Sequence, residues 1–516
     1  MKDGFRQSMA WLHTWSGLLF GWLLFVIFVC GTISYFQEEV TRWMQPEVTT
    51  PSDPVAAADG AARWLAANAS GSSAWYITLP GDRAATTALF WTPAEDGPAG
   101  GVTEMTLDGR GNPVTARDTA GGYFLYRFHY DLHYLPVIWA RYLVGIAAMF
   151  MLMAILSGIV THKKIFADFF MLRLGKGQRS WLDAHNVTAV LALPFHLMIT
   201  YTGLVTLEGQ LSPAPVAALY ANRSEFFAEA FPVAGAPESQ GEAAPLASFS
   251  AMMKEARLQW GMDVGHIFVS RPGDAVARVT LTSAPGASMD ARGKMLQFDG
   301  VTGRLMGEGV PKGAVQRIEG VMIGIHAGRY ADAVLRWLYF LSGVGGTTMV
   351  VSGLVLWTVK RRSKLTDPQR PHFGFRVVER LNIAVVAGFP LAIAVYFLAN
   401  RLLPVDLPDR AEWEVDCLFL AWLGAGIFAV LRPVRRGWIE LCRCNALLFA
   451  AVPLVSAAAT ARNLPASLMS GDWVFAGFEL MMLALAFGFA FAANRLALVG
   501  SRHALKRPGK REQVVA

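Results

Sequence analysis

Six histidines lie inside or beside long apolar stretches of this sequence, and their side chains can bind a metal ion. They are His13, His133, His162, His185, His196 and His326. A polar ring inside an apolar segment is costly unless something binds it. Bis-histidine ligation of haem iron needs two neutral imidazoles from different helices at one depth. The set therefore predicts a haem-binding protein in which these histidines are the cofactor-binding residues and the iron ligands.

The spacing of four of these histidines repeats along the chain. His13 and His185 each precede a glycine by 18 residues, and each stands near the start of an apolar stretch. His133 and His326 each precede the next apolar stretch. Because a duplication places equivalent residues at matching depths, we pair His13 with His185 and His133 with His326. Two pairs predict about two haems.

Three other histidines leave alternatives open. His185 and His196 are 11 residues apart, which is about 16 Å along one straight helix, so His196 is a rival ligand for the outer haem or for one in the middle. His162 is a rival ligand for the inner haem, and His162 with His196 is a possible further pair. His129 and His133, one helical turn apart, form a possible site for a soluble metal ion. A single histidine at a helix end is otherwise an ordinary interfacial residue.

Two arginines lie a little way inside the apolar stretches that follow His133 and His326. Arg141 and Arg336 either extend to the membrane interface or pair with the propionate carboxylates of the cofactor. Glu479 is a lone acid in the last apolar stretch. It is either a proton or quinone site or a hydrogen-bonded packing residue.

The composition indicates that the segments that contain these residues are membrane spans. Of 516 residues, 53% are hydrophobic and 16% are charged, and the mean hydropathy is +0.36. This excludes a string of soluble domains. The net charge of +7 fits basic membrane loops better than a nucleic-acid partner. The 4 cysteines form no C-x-x-C or C-x-x-C-H motif, which argues against a thiol redox motif and covalently attached haem.

Apolar stretches of about 20 residues predict eight spans. They cover residues 10–36, 137–161, 186–207, 334–359, 382–401, 412–431, 441–461 and 473–499. Basic residues cluster on one side of these spans and place both termini in the cytoplasm of a bacterial inner membrane; they include Lys2, Arg6, Lys163, Lys164, Arg361, Arg435 and Lys506. The predicted fold is an all-α polytopic membrane bundle with two small periplasmic α+β domains.

The predicted division of the chain follows from these spans. It comprises a first span (1–40), a first α+β domain (41–136), two spans (137–207), a second α+β domain (208–333), a fourth span (334–365) and a four-span extension (366–516). Each α+β domain begins with a helical stretch, 56–67 or 249–259. Alternating apolar residues then predict strands over 75–79, 88–91 and 102–107, and over 266–270, 276–281 and 294–298. Each domain closes on an Asp-Gly turn.

Several short motifs, in order, resemble those of the PepSY-associated transmembrane proteins, also called iron-regulated membrane proteins. They are His13-Thr-Trp-Ser-Gly17, Asp131-Leu-His133, Gly158-Ile-Val-Thr-His162, Trp181-Leu-Asp-Ala-His185-Asn, Pro194-Phe195, Thr202-Gly203-Leu204, Ile325-His326-Ala-Gly328 and Ser352-Gly353. The resemblance covers roughly residues 5–365. It implies four core spans, two periplasmic PepSY-like domains and b-type haem between the helices.

The resemblance also implies a function, since better understood members of this family look like ferrisiderophore reductases. The expected activity is that of an oxidoreductase that passes electrons across the membrane to a periplasmic ferric siderophore or another Fe(III) chelate. The electron donor would be a quinol or a cytoplasmic reductase, because no nucleotide-binding fingerprint is visible. Two alternatives remain open. One is a haem-free protein that binds or regulates a periplasmic peptidase, and the other is a siderophore or metal transporter.

Overall fold

A computed structural model gives the fold of most of the chain. It describes residues 4–93, 103–162, 171–173, 175–230, 238–308 and 313–505. Four basic residues used above for orientation, Lys2, Lys163, Lys164 and Lys506, lie outside the described residues.

Nineteen helices and seven strands occur within these described ranges. The helices are α1 (Phe5–Ser34), α2 (Gln37–Met44), α3 (Pro54–Asn68), α4 (Gly121–Asp131), α5 (Val137–Thr161), α6 (Gln178–Leu191), α7 (Leu193–Thr206), α8 (Glu208–Leu211), α9 (Pro213–Leu219), α10 (Arg223–Ala230), α11 (Phe249–Trp260), α12 (Ala314–Ala327), α13 (Ala333–Arg362), α14 (Phe373–Asn382), α15 (Gly388–Leu402), α16 (Arg410–Leu431), α17 (Val434–Ala459), α18 (Leu464–Ser470) and α19 (Trp473–Leu505). The strands are β1 (Ala74–Thr78), β2 (Thr87–Thr92), β3 (Thr103–Leu107), β4 (Val264–Ser270), β5 (Arg278–Ser283), β6 (Met295–Asp299) and β7 (Leu305–Glu308). A π-helical turn, Ile383–Ala387, joins α14 to α15.

The helices confirm the predicted polytopic membrane bundle. In the described part of the chain, seven helical segments are long and apolar enough to cross a membrane, and α6 with α7 makes an eighth if this bent pair counts as one span. A helix satisfies its own backbone hydrogen bonds, which is why apolar segments of this length cross the bilayer as helices. The chain is therefore a multi-pass membrane protein.

The third predicted span is broken. α6 ends at Leu191, α7 begins at Leu193, and the two axes differ by 67°. Pro194 stands in the first turn of α7, where its missing N–H and its ring stop α6 from continuing. The straight-helix geometry expected for His185 and His196 is therefore wrong, because the bend separates their helices.

Both predicted α+β units are present, and they share one antiparallel sheet. The strand order is β3-β2-β1-β4-β5-β6-β7. β1 from the first unit pairs with β4 from the second, with Tyr76 opposite Phe268. The first strands of the two units thus meet at the centre, and the duplication seen in the sequence becomes an approximate two-fold arrangement.

One face of the sheet forms a core with α3 and α11. Alternate side chains such as Ile77, Ile267 and Leu281 are buried against apolar residues of these two helices, as the period of two in a strand requires. The Asp299 turn closes the second unit, and hydrogen bonds from the backbone and hydroxyl of Thr302 lower the pKa of that carboxyl.

The shared sheet predicts that its central strand carries much of the stability of both units. Ile267 is 1% exposed, so Ile267→Ala should cost about 2–5 kcal/mol of unfolding free energy. Thr280→Ala, on the partly exposed face of β5, is the matched control. Pulse proteolysis of the sheet in urea measures the difference, and equal midpoints for the two variants would contradict a single buried core.

Candidate functional site

Two adjacent cavities lie between the helices of the first 362 residues. The cavity farther from the sheet, called the distal cavity, has a volume of about 370 Å³, and its lining includes His13, His162, His185, His196 and Arg361. The cavity nearer the sheet, called the sheet-side cavity, has a volume of about 480 Å³, and its lining includes His129, His326, Arg83, Arg141 and Arg329. Leu24 and Met151 line both cavities, so the two spaces lie on either side of the same apolar side chains.

The distal cavity contains a histidine pair. α1 carries His13 and α6 carries His185, and their ring centroids are 6.1 Å apart. The structure therefore brings together the first pair that the sequence predicts. We call these two residues the distal pair.

The sheet-side cavity contains a second pair of almost the same separation. α4 carries His129 and α12 carries His326, with ring centroids 6.2 Å apart. We call these two residues the sheet-side pair. It includes His326, for which the sequence predicts a pair with His133. It also includes His129, for which the sequence predicts only a possible soluble-metal site with His133.

All four imidazoles are held in the same way, by a hydrogen bond from Nδ1 to a backbone carbonyl of a neighbouring helix. The four bonds are His13 to Ala154 (2.8 Å), His185 to Met349 (2.9 Å), His129 to Ile27 (2.7 Å) and His326 to Ile199 (3.0 Å). A carbonyl oxygen only accepts, so each Nδ1 carries the proton. Each Nε2 is then the unprotonated nitrogen that can bind a metal ion.

A glycine stands four residues after each of these carbonyls. The carbonyl–glycine pairs are Ile27 with Gly31, Ala154 with Gly158, Ile199 with Gly203 and Met349 with Gly353. A helical side chain lies over the turn that precedes its own Cα. A glycine therefore leaves the carbonyl one turn earlier open to an outside donor.

The same glycines make room for the imidazole rings. A methyl group added at Gly31 would lie 2.6 Å from Cε1 of His129, and one added at Gly203 would lie 2.8 Å from Cε1 of His326. At Gly158 and Gly353 the corresponding distance, to His13 or His185, is 3.2 Å. Each ring is thus packed edge-on against a helix backbone, where any side chain would displace it.

His133 does not form the pair predicted for it. α4 ends at Asp131, and Leu132 and His133 have φ values of 50° and 45°. This left-handed backbone turns the chain away, so that the ring of His133 stacks on Phe419 with centroids 5.6 Å apart. His133 is absent from the lining of the sheet-side cavity. The helix end also removes the one-turn relation needed for a metal site between His129 and His133.

His196 and His162 both line the distal cavity, next to the distal pair. The ring of His196 is 1% exposed and lies edge-on to Phe28, with centroids 6.1 Å apart. His162 follows the last residue of α5, and its Nε2 is 3.0 Å from the amide nitrogen of Asn186. As ligands both stay predictions.

The two arginines named from the sequence differ in position. Arg141 lines the sheet-side cavity, and its Nε donates to Asp131 at 2.7 Å. Arg336 pairs with Glu39 at 3.2 Å and lies outside the linings of both cavities, so Arg141 alone of the two is placed to meet a cofactor carboxylate. Arg329 is a further cation at the sheet-side cavity.

The mouth of the sheet-side cavity lies next to the sheet. His266 of β4 has its pKa lowered by burial and then by the nearby guanidinium of Arg329. Arg83, from the loop after β1, donates to the carboxylate of Glu39 and to the carbonyl of Tyr35 at the end of α1. The cations at this mouth therefore come from the sheet and from the ends of the helices together.

Glu479 in α19 is a hydrogen-bonded packing residue in this structure. It is 0% exposed, and its carboxylate accepts a hydrogen bond of 3.1 Å from the indole N–H of Trp43. The guanidinium of Arg401 lies over the same indole ring, 3.8 Å from its centroid. Glu479 lies outside both histidine cavities.

Sequence reasoning missed His129 because the repeat spacing does not distinguish it from His133. His326 precedes Gly353 by 27 residues, whereas His129 and His133 precede Gly158 by 29 and 25 residues. The helix end would have been a better guide. His326 comes shortly before Gly328, a left-handed residue that ends α12, and His129 comes shortly before the left-handed Leu132 that ends α4.

Comparison with known proteins places most of this region in one family. The family model described as the PepSY-associated TM region matches residues 10–360. An uncharacterized protein of Pseudomonas aeruginosa is 27% identical over 311 residues, which cover 57% of this chain and 76% of the relative. The region matched by the family model includes both histidine pairs and their four glycines, and it ends before α14.

The packing of imidazole on glycine predicts opposite effects for two glycine substitutions. Gly31→Ala drives a methyl group into the ring of His129 and should cost about 1–3 kcal/mol of stability. Gly424→Ala, in α16, meets nothing within 4 Å, so it should leave stability unchanged or raise it slightly. Thermal unfolding in detergent, followed by tryptophan fluorescence, measures both; equal melting temperatures would contradict the proposed fit of His129 against Gly31.

Proposed function

Because the chain belongs to the family of the PepSY-associated TM region, we propose that it is a b-type haem protein that carries electrons across a bacterial inner membrane. The observation that carries this proposal is the presence of two histidine pairs. Each pair has two imidazoles from different helices, and each ring has a free Nε2. An electron path from the distal pair to the sheet-side pair would use the adjacent cavities.

The separation of the rings fits two ligands of one metal ion. An imidazole nitrogen binds a transition metal at about 2 Å, so two rings on opposite sides of one ion have centroids roughly 6 Å apart. The observed separations are 6.1 Å and 6.2 Å. In the described part of the chain, no group of three His, Cys, Asp or Glu residues could hold a metal ion. A two-histidine site needs its remaining ligands from a non-protein group, and a porphyrin supplies four nitrogens.

The cavity walls suit a flat apolar cofactor with carboxylates at its edge. Apolar side chains such as Leu24 and Met151 line both cavities and lie between the two pairs. Lys360 and Arg361 line the distal cavity, and Arg141 and Arg329 line the sheet-side cavity. Cations at these positions can hold carboxylates.

Haem, when bound, supplies a one-electron couple between ferric and ferrous iron. The chain's own residues hold and orient it. The carbonyl of Ile27 fixes the tautomer and the rotation of the His129 ring, and the carbonyl of Ala154 does the same for His13. A second partner of this kind makes the imidazole a better iron ligand. The partly buried setting of both pairs would further tune the reduction potential.

The proposed orientation in the membrane follows from the basic residues at the helix ends. Arg6 lies in the first turn of α1, and Arg361 and Arg362 lie in the last turn of α13. These ends of the helices are remote from the sheet, and basic residues favour the cytoplasmic side. The distal pair would then lie toward the cytoplasm, and the sheet would lie in the periplasm with both termini cytoplasmic.

The proposed reaction is reduction of a periplasmic ferric siderophore or other Fe(III) chelate. Each Fe(III) takes one electron and becomes Fe(II), which hard oxygen ligands hold less tightly. The donor is a quinol or a reduced cytoplasmic protein. One quinol would give two electrons and two protons, become a quinone, and so reduce two ferric chelates.

The four-residue interval between His129 and His133 allows a sharp test. His129→Ala should remove the sheet-side haem and leave the distal one, so that the haem content per chain falls by about half. His133→Ala is the matched control and should keep both haems, because its ring stacks on Phe419 outside the cavity. A pyridine haemochrome assay on the purified variants measures the haem content.

The opposite pattern, with haem lost from His133→Ala and retained in His129→Ala, would contradict the sheet-side pair. A wild-type protein without any pigment would refute the proposed function. It would leave the peptidase-binding and transport alternatives.

A further inference from the structure

The four spans after residue 366 contact α4, the helix that carries the proposed ligand His129. We propose that this extension, α14 to α19, is a positioning device for the sheet-side pair, which fixes His129 opposite His326. The inference rests on the proposed function. It assigns a task to the part of the chain that lies beyond the match to the family model.

The extension holds the backbone just before α4. The guanidinium of Arg410 donates to the carbonyl of Asp118 at 2.6 Å. The hydroxyl of Tyr396 donates to the carbonyl of Gly121, the first residue of α4, at 2.8 Å. Arg410 and Tyr396 are both 0% exposed. Two buried donors from the extension therefore set where α4 begins.

A carboxylate in α16 completes this contact. Glu414 forms an ion pair with Arg410 and accepts hydrogen bonds from Asn400 (2.7 Å) and from the hydroxyl of Thr119. In the reverse direction, Arg117 donates to the carbonyl of Asn400 at 2.6 Å. A buried charge needs such partners, and loss of one leaves the other uncompensated. The loop before α4 and the extension therefore form one polar network.

Aromatic rings continue the contact along one face of α4. Phe124 packs on Tyr396 with ring centroids 5.4 Å apart, and Phe128 packs on Phe389 at 6.0 Å. Phe419 contacts both α4 rings, at 6.4 Å and 5.4 Å. Residues four apart share a face of a helix, so this face of α4 belongs to the interface with the extension.

The other face of α4 forms the cavity wall. Tyr126, His129 and Tyr130 line the sheet-side cavity. The Nδ1 of His129 reaches the carbonyl of Ile27 at 2.7 Å, a bond that tolerates little rotation of the helix. A shift of α4 on the extension side therefore moves the imidazole on the cavity side.

The remaining three imidazoles lie on three other helices. His13 is on α1, His185 on α6 and His326 on α12. Among the residues that the structure describes, α4 is the ligand-bearing helix whose first residue is hydrogen-bonded to the extension. α1 also meets the extension, since the indole N–H of Trp22 donates to Asn382 at 2.9 Å. The distal pair is therefore an internal reference for the contacts that Tyr396 and Glu414 make near α4, and not for every effect of the extension.

Tyr396→Phe is the test variant, because it removes one hydroxyl and keeps the ring that packs on Phe124. Glu414→Gln is a stronger second variant. Asn445→Ala is the matched control, since this buried amide donates to the carbonyls of two extension residues, Ala387 and Leu441. The readouts are the midpoint potentials and low-spin electron paramagnetic resonance signals of the two haems in the full-length protein, assigned with His129→Ala and His13→Ala.

We expect Tyr396→Phe to shift the potential and the signal of the sheet-side haem and to leave those of the distal haem unchanged. Glu414→Gln should lower the occupancy of the sheet-side haem selectively, and Asn445→Ala should change neither haem. Equal shifts of both haems, or no shift in Tyr396→Phe, would overturn the positioning role while leaving the proposed function intact. A colourless wild-type protein would overturn both; if Glu414→Gln does not fold, the outcome for Tyr396→Phe decides.

Discussion

The arrangement of the core depends on one recurring contact. In it, a histidine Nδ1 donates a hydrogen bond to a helix carbonyl that a glycine one turn later leaves uncovered. A membrane interior offers no water to the ring, so each histidine must find its partner on a neighbouring helix. The carbonyl is available because no side chain covers it. This contact occurs four times, as in His13 on Ala154 and Gly158. It fixes which helices are neighbours and how closely they approach.

The fold was largely predictable from local patterns, because spans follow from apolar length and strands from alternation. Strand β5, for example, buries every second residue. The union of the two units in one sheet was not predictable, since the pairing of β1 with β4 joins residues almost 200 positions apart and nothing local specifies it. The site was predictable in part. His13 and His185 meet as expected, whereas the choice of His129 over His133 depends on a left-handed turn at Leu132, and a non-glycine residue there gives little signal.

The extension carries none of the candidate ligands, yet it contacts the helix that carries His129. Its spans contain buried charge, as in the Arg410–Glu414 pair, which is unusual inside a membrane protein unless each group has a partner. The partners come from the loop before α4 and from the extension itself, such as Asp118 and Asn400. These polar groups therefore contribute to an internal interface between the extension and the loop before α4.

Each histidine pair is proposed to bind one iron porphyrin through its two imidazoles. The most direct measurement is the iron-porphyrin stoichiometry of the purified full-length protein, taken together with its reduced-minus-oxidised visible spectrum. The account predicts two haems per chain, both low-spin with bis-imidazole ligation, because each pair offers two free Nε2 atoms. A pigment-free protein, or a single high-spin haem with an open coordination position, would contradict it.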